Sequence, residues 1–249
     1  MPPAYIAVNL RHGLCNRLRT LVGYRAVACA LEVPLYVCWQ RDDECPGDFF
    51  DCFEPIDGVL ICKYLNGWRN LAAEADGHKF VGQRPAYAVL KDCKKWLDDC
   101  PRKALVDFCA LRPNKAVQGR IDEFLARHDG FVDVIGLHVR RTDHIGCAKG
   151  GVGYYTTDED FDALIAAEPA TKRFFLATDN VDSQRRFAQK YGERIFWVRA
   201  IQRSGRQRQT SLEDAVVDLF LLARCEKMHG SVWSSFSETA RALARCNTE

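Results

Sequence analysis

Short strand-like segments alternate with helical segments at both ends of this chain, and that alternation constrains the fold more than any other feature. Near the N-terminus, a β-type run over 5–10 leads through a polar turn into helix-spaced apolar residues over 18–31, and a second apolar run covers 35–39. Strands that are joined through a helix pair in parallel, because a hairpin connection is only a few residues long. This N-terminal segment therefore predicts a βαβ unit in a parallel sheet.

The second half of the chain shows the same alternation. Asn114 is placed to cap a helix that ends near 129–130, and apolar runs predict the strands that follow it. These strands are predicted over 132–139, 174–177 and 195–198, with a helix over 183–191 between the last two. Strands that alternate with helices in both halves indicate an α/β fold with two Rossmann-like domains, over 1–120 and 121–249.

Two further helices are predicted near the C-terminus. Ser211 can cap a long helix that runs from 212 to about Met228, with Asp214 as the acid of a capping box. A serine-rich turn follows, and then a last helix over 236–244. Between 41 and 112, Asp, Pro, Gly and Cys interrupt the apolar runs, so no strand or helix is assigned there.

Composition excludes several classes of protein. A chain of 249 residues that is 47% hydrophobic and 27% charged is typical of a globular protein and not of a disordered one. The net charge of +2 provides no general attraction for nucleic acid or acidic membranes, and no apolar run is long enough for a membrane span. The N-terminus lacks the pattern of a secretory signal peptide. We therefore expect no nucleic-acid partner, no membrane span and a cytoplasmic location.

The twelve cysteines do not form a recognisable metal-binding pattern. None of them makes a Cys-x-x-Cys pair, and His144 with Cys147 has no second pair to complete four ligands. We interpret most of them as buried free thiols that pack as small apolar side chains, and a few disulfides remain possible. The sequence therefore predicts no metal site.

Polar residues collect where the predicted strands of the second domain end. The strand over 132–139 runs into Arg140 and Arg141, the next strand runs into Asp179, and a serine-rich turn over 231–237 precedes the last helix. In open α/β sheets, ligands bind beyond the carboxyl ends of the strands. Arginines can bind a diphosphate through forked hydrogen bonds, and the free amides of a helix N-terminus bind anions. Each group alone is typical of an ordinary strand end, helix cap or turn, but three on successive strands favour a binding site.

Four sequence motifs resemble those of the α1,2/α1,6/protein-O-fucosyltransferase superfamily. The run His138-Val139-Arg140-Arg141-Thr142-Asp143 is similar to the first motif of that superfamily, and 175–180 is similar to the second. Asp214 through Ser235 is similar to the third motif, and Gly13-Leu14-Cys15-Asn16-Arg17 is similar to the glycine-rich first loop. The motifs occur in the family's order, and the resemblance is strongest to core α1,6-fucosyltransferases and rhizobial chitin-oligosaccharide fucosyltransferases.

This resemblance implies a fold and an activity. It implies a GT-B fold, in which two Rossmann-like domains face each other across a cleft, with the acceptor side in the first domain and the donor site in the second. It also implies a metal-independent, inverting transfer without a cofactor. The donor would be a nucleotide-diphosphate sugar, GDP-fucose in the family's commonest members, and the acceptor would be a carbohydrate hydroxyl.

The resemblance also implies roles for individual residues. Arg140 would hold the β-phosphate and stabilise the leaving group, since fixed cationic donors lower the barrier as the diphosphate departs. His138 and Asp218 would contact the nucleoside. The remaining donor-binding residues implied by the motifs are Gly13, Asn16, Ser234 and Ser235, with Arg141, Asp143 and Asp179 bracing the site.

One departure from the family concerns the general base. The glutamate that would accept the acceptor's proton is replaced by Ala148, and the motif lysine is replaced by His144. We interpret the segment over 144–155 as a glycine-rich loop, and it contains no acid. Transfer to a hydroxyl usually requires a carboxylate on the acceptor side. The candidates are Asp143, the acid cluster over 42–44, and His144. Two alternative functions stay open: a transferase that uses another donor sugar, and a nucleotide- or glycan-binding protein without catalysis.

Overall fold

The computed structural model describes residues 2–63, 77–98, 105–141, 144–199 and 210–247, without the side chains of residues 144 and 147–149. The chain divides into two compact units, Met1–Lys115 and Ala116–Glu249. Each unit contains a four-stranded sheet whose strands are all parallel. The predicted α/β class with two Rossmann-like domains is confirmed.

The first unit has its N-terminal strand in the interior of the sheet, and the strand order is β3-β2-β1-β4. Its strands are β1 Ile6–Leu10, β2 Leu35–Cys38, β3 Val59–Cys62 and β4 His78–Gly82, and its helices are α1 Leu14–Leu31, α2 Ala86–Asp92 and α3 Lys94–Leu97. The predicted βαβ unit corresponds to β1, α1 and β2. Strands β3 and β4 and helices α2 and α3 lie in the segment where the sequence assigned no element. Their apolar runs are short, so pairing and packing within the folded unit define them.

The second unit has the strand order β7-β6-β5-β8. Its strands are β5 Val134–Val139, β6 Arg173–Thr178, β7 Ile195–Phe196 and β8 Lys227–Gly230, and its helices are α4 Lys115–Arg127, α5 His144–Val152, α6 Asp158–Ala166, α7 Val181–Tyr191, α8 Leu212–Leu222 and α9 Ser235–Ala244. All six residues of β5 are buried, as expected for a strand covered on both faces. Each predicted strand of this half is present.

Two sequence expectations for the second unit are wrong. Helix α8 ends at Leu222, and not near Met228, which belongs to β8. The apolar pattern continues past the end of the helix, but Lys227 and the next three residues pair with β5 and become a strand. The segment after His144, interpreted as a glycine-rich loop, contains α5. Neither a short half-buried strand nor a glycine-rich helix has a strong sequence pattern.

The cysteines in the described part of the chain are of two kinds. Eight are free: Cys15, Cys29, Cys38, Cys45, Cys52, Cys62, Cys93 and Cys225. Cys109 and Cys246 each take part in a disulfide. Five of the free thiols are buried, in agreement with packing as small apolar side chains.

A fully buried arginine holds together the loops of the first unit. Arg17 on α1 donates to the backbone oxygens of His12 and Gln40, both at 2.6 Å, and to the Asp42 carboxylate at 2.5 Å. Its guanidinium also lies 5.3 Å from the centre of the Trp39 ring. The loops that follow β1 and β2 therefore share one cationic anchor, whose loss would leave three acceptors without their donor.

We expect Arg17→Met to destabilise the protein by about 3 kcal/mol, because it leaves two backbone oxygens and the Asp42 carboxylate without their donor. The free energy of unfolding in urea measures this change. Arg41→Met is the matched control, since Arg41 is 59% exposed and pairs with Asp48 and Asp51 at the surface. The control should cost less than about 1 kcal/mol. Equal losses in the two variants would contradict an anchoring role for Arg17.

Candidate functional site

The strand order of the second sheet creates a crevice at its carboxyl edge. Strand β5 has β6 on one side and β8 on the other, so the direction in which successive strands are added to the sheet reverses between β5 and β8. Ligands of open α/β sheets bind at such a switch point. The residues that follow β5 begin with Arg140 and Arg141, and the residue that follows β8 is Ser231. Two of the polar groups predicted from the sequence therefore flank the switch point.

Ser231 locks the ends of β5 and β8 together. Its hydroxyl accepts the backbone N–H of Arg140 at 2.9 Å, and its own N–H donates to the backbone oxygen of His138 at 2.9 Å. Ser231 is 2% exposed, so this junction is dry. The backbone around Arg140 is thus held in position independently of its side chain.

Asp179, at the end of β6, directs the Arg140 side chain. One carboxylate oxygen accepts the backbone N–H of Arg141 at 2.9 Å, and the other lies 3.9 Å from Nε of Arg140. The side chains of Arg140 and Asp179 are 18% and 13% exposed. A carboxylate with one oxygen held by a backbone amide is a rigid partner, so the direction of the guanidinium is restrained.

Arg141 is committed to the protein itself. Its Nε and Nη2 donate to Asp158 at 3.2 and 2.5 Å, and its Nη1 donates to the backbone oxygen of Thr156 at 2.9 Å. Its guanidinium lies 5.7 Å from the centre of the Phe161 ring. These contacts tie the end of β5 to the start of α6 and support the bracing role expected for Arg141.

Helix α9 begins beside this junction with an uncapped N-terminus. Ser234 occupies the N-cap position, but its side chain makes no capping hydrogen bond. Its Oγ is buried, and among the described residues it has no partner. A buried hydroxyl without a partner costs free energy, and the first amides of a helix carry a partial positive charge. Ser234 and Ser235 therefore form a turn that suits an anion.

His138 holds the first turn of α9 against β5. The side chain is 5% exposed, its Nδ1 lies 2.8 Å from the hydroxyl of Ser237, and its ring stacks on Phe236 at 4.6 Å. This arrangement shows a packing role for the His138 ring. Its contact with a nucleoside stays a prediction.

The structure is similar to solved fucosyltransferase structures over nearly its whole length. Fucosyltransferase NodZ from Bradyrhizobium is 18% identical, with a TM-score of 0.57, and the match covers 98% of this chain and 93% of that one. A structure of NodZ α-1,6-fucosyltransferase soaked with GDP-fucose is 19% identical, with a TM-score of 0.57 and the same coverage. POFUT1 in complex with GDP-fucose is 12% identical, with a TM-score of 0.58, over 98% of this chain and 94% of that one.

The chain has the GT-B fold of these fucosyltransferases. The resemblance that the four motifs indicated is thereby confirmed at the level of the fold. No family model matches the chain, and no curated protein sequence matches it.

Within the fucosyltransferase fold, the second unit also contains a pocket beyond the ends of β6 and β7. Its volume is about 270 Å³, open space at the mouth included. It is lined by Leu176, Thr178, Gln184, Trp197, Val198, Arg199, Thr210, Asp214 and Asp218. Two acids one helical turn apart on α8, with an indole nearby, distinguish it from an ordinary apolar gap.

The two acids of this pocket differ in their electrostatic environment. Burial opposes ionisation of Asp214, but hydrogen bonds from Ser211 and Arg120 and the charge of Arg199 lower its pKa below the ordinary value. Arg120 and Arg199 both lie 2.6 Å from the Asp214 carboxylate. Burial and the negative charge of Asp214 raise the pKa of Asp218 well above the ordinary value. A ligand that donates hydrogen bonds to Asp218 would therefore favour the ionised form of this acid.

The other predicted residues are distributed between the two units. Gly13 and Asn16 lie in the first unit, where Gly13 precedes α1 and its backbone oxygen accepts the N–H of Asn16 at 3.0 Å. The Oδ1 atom of Asn16 accepts a hydrogen bond from Arg19 at 2.7 Å. Asp143 lies outside the described residues, and only the backbone of Ala148 is described, within α5.

The acid cluster over 42–44 is partly used by the fold. Asp42 is bound by Arg17, and Glu44 lies 3.5 Å from Nδ1 of His12 at a half-exposed position. Within the described ranges, no group of three or more His, Cys, Asp or Glu side chains could hold a metal ion.

Sequence reasoning missed several residues that shape the site. Asp158 and Thr156 hold Arg141 in position, and Trp197 lines the pocket. One signal was present: Thr157 begins a capping box that starts α6. Recognising that box would have marked 156–158 as a helix entry close to the arginine motif.

We expect Asp218→Asn to stabilise the protein at neutral pH, because it removes a desolvated acid next to Asp214. A raised pKa means that the folded protein keeps a proton that the unfolded chain loses, so wild-type stability falls as the pH rises from about 4 through the folded pKa. The advantage of the variant should therefore grow with pH. Urea unfolding between pH 4 and 8 measures it, with the exposed Glu193→Gln as the control. A difference that does not change with pH would contradict the raised pKa.

Proposed function

We propose that this protein is a metal-independent, inverting glycosyltransferase. It transfers fucose or a related sugar from a nucleotide-diphosphate donor, GDP-fucose in the first instance, to a carbohydrate hydroxyl. The second unit binds the donor, and the first unit carries the acceptor side.

The observation that carries this proposal is the junction of β5, β8 and α9. An arginine restrained by Asp179 lies next to a helix N-terminus whose cap hydroxyl, Ser234 Oγ, is buried without a partner in the described part of the chain. A diphosphate would satisfy both, through the forked donors of Arg140 and the amides near Ser235. The likeness to fucosyltransferase structures with GDP or GDP-fucose bound supports the same ligand class.

The pocket on α8 supports a guanine base. Guanine presents an N1–H and an exocyclic amino group side by side, and an ionised carboxylate accepts both. Asp218 is the acid of the pocket that lacks the strong hydrogen bonds that hold Asp214. Adenine and uracil do not present this pair of donors, so Asp218 would select a GDP-linked donor.

The transfer itself requires three events. The acceptor oxygen bonds to C1 of the sugar, the bond between C1 and the β-phosphate oxygen breaks, and the nucleoside diphosphate departs with the bonding electrons. Arg140 stabilises the charge that develops on the leaving phosphate. Asp143 is our candidate for the group that takes the acceptor's proton, since Ala148 occupies the position of the family's glutamate.

Two observations concern the expected cytoplasmic location, one on the described helices and one on two cysteines. In the described part of the chain, no helix has the length and apolar character needed to cross a membrane. Disulfides such as those of Cys109 and Cys246 persist mainly in oxidising compartments. The disulfides of these two residues therefore argue against the predicted cytoplasmic location, which stays a prediction.

A second candidate function is nucleotide or glycan binding without catalysis. The replacement of the family's glutamate by Ala148 favours it, because donor binding does not need that residue. A third possibility is the same reaction with another donor sugar, because Asp218 would recognise the base and not the sugar.

Nucleotide binding tests the donor site directly. We expect GDP to stabilise the protein against heat more than UDP, ADP or CMP, without added metal, since only guanine offers the two donors that match Asp218. Thermal shifts and calorimetry measure the preference. Arg140→Ala should abolish the GDP response, and Arg127→Ala, which removes an exposed arginine on α4, should keep it.

Donor turnover then separates the enzyme from the binding protein. With GDP-fucose and a glycan acceptor, we expect Arg140→Ala to reduce transfer by roughly 10³-fold, as for other arginines that neutralise a departing phosphate. Near-wild-type turnover in this variant would exclude the proposed role of Arg140. GDP binding without any turnover would support the binding protein, and no response to any nucleotide would exclude both.

A further inference from the structure

We propose that Trp233 is an acceptor subsite, on which a sugar ring of the carbohydrate acceptor stacks beside the donor-phosphate turn. This inference rests on the proposed function and deepens it, because it gives the donor-binding second unit a contact of its own with the acceptor, in addition to the acceptor side assigned to the first unit. Trp233 lies in the turn between β8 and α9, directly before Ser234.

The backbone at Trp233 is held in an unfavourable conformation that keeps the indole at the surface. Its φ angle is 54°, in the left-handed region that bulky residues rarely adopt, and its side chain is 53% exposed. Such a conformation costs roughly 1–3 kcal/mol and persists where the surrounding structure enforces it. A buried anchor would gain from burial, whereas half of this indole faces water.

Helix α5 provides a seat for the indole. A Cβ atom at Gly151 would lie 1.0 Å from Cζ3 and 1.5 Å from Cη2 of Trp233. The ring therefore lies directly on the helix backbone, in space that any side chain at residue 151 would fill. Val152 and Tyr154 follow Gly151 closely in the sequence. They are 43% and 61% exposed, so this stretch of the chain also presents apolar surface to solvent.

The turn that carries the indole is tied to the donor-phosphate site. The N–H of Val232 donates to the hydroxyl of Thr156 at 2.9 Å, and Thr156 also binds Arg141 through its backbone oxygen. Ser231, two residues before Trp233, holds the backbone of Arg140. A molecule that stacks on Trp233 is thus positioned relative to the arginine that would hold the β-phosphate.

The chemistry of the indole fits a carbohydrate and not a second anionic group. A pyranose ring has a face of C–H groups and a rim of hydroxyls, and the electron-rich face of an indole attracts such C–H groups. A rigid aromatic side chain also loses little conformational entropy on binding. Arg140, Ser234 and Asp218 match the phosphates and the base of the donor, and the proposal assigns the ring on Trp233 to the acceptor.

The experiment compares Trp233→Phe with Trp233→Leu. The wild-type protein, saturated with GDP, is first screened on a printed array of defined glycans, and the Kd and the KM for transfer from GDP-fucose are measured for the best-bound oligosaccharide. Stacking predicts that Trp233→Leu raises the Kd for the oligosaccharide by roughly tenfold. Trp233→Phe keeps an aromatic face, so its Kd should stay within about threefold of wild type. The Kd for GDP is measured for each variant.

Two further variants test the seat and the specificity of the effect. Gly151→Ala displaces the indole and should weaken oligosaccharide binding as Trp233→Leu does. Val132→Ala is the control, because Val132 is 76% exposed and precedes β5 at the opposite edge of the sheet. It should bind the oligosaccharide as wild type does.

Each other outcome overturns the subsite. Equal affinities for Phe and Leu would mean that Trp233 only packs on α5. A loss of oligosaccharide affinity that is matched by an equal loss of GDP affinity would mean that the turn has collapsed. A wild-type protein that binds GDP but no glycan on the array would exclude the subsite while leaving the donor site intact. A protein that binds no nucleotide would instead refute the proposed function.

Discussion

The parallel pairing of β5 with β8 is the constraint on which the rest of the candidate site depends. It brings together two segments that are about ninety residues apart in the chain, and Ser231 then bonds the end of one strand to the end of the other. Because the pairing is parallel, Arg140 and the N-terminus of α9 emerge at the same edge. Without β8 in this position, Arg140 and the uncapped helix would not lie at one junction.

Around this junction, three acidic side chains restrain particular cations. Asp179 directs Arg140, Asp158 holds Arg141, and Asp214 binds Arg120 and Arg199. Such pairing fixes side-chain directions in advance, so a charged ligand would require little reorganisation. Among the described residues, Asp218 makes no such ion pair, and burial with a like charge one turn away raises its pKa. The ionisation of Asp218 would thus become favourable if a ligand donated hydrogen bonds to its carboxylate.

The first unit uses a different solution for the equivalent loops. There a single buried cation, Arg17, binds the loops after β1 and β2, and a carboxylate from the acid cluster, Asp42, is part of that anchor. Burying an arginine is costly unless its donors are paired, and each of the three guanidinium nitrogens of Arg17 has an acceptor. The anchor therefore shapes the loop that follows β1, which contains Gly13, without using the side chain of Asn16.

The sequence by itself determined the α/β class, most strands, the cap of α8 and the arginine motif, because period, capping and strand-end chemistry are local properties. Only the tertiary structure decided that Lys227 and Met228 form a strand, since β8 has no strong pattern and exists through its pairing with β5. It also decided that Arg141 is committed to Asp158 whereas Ser234 Oγ lacks a described partner, and that Gly151 makes room for Trp233. These are contacts between distant segments, and local sequence preferences contain no information about which distant group a side chain meets.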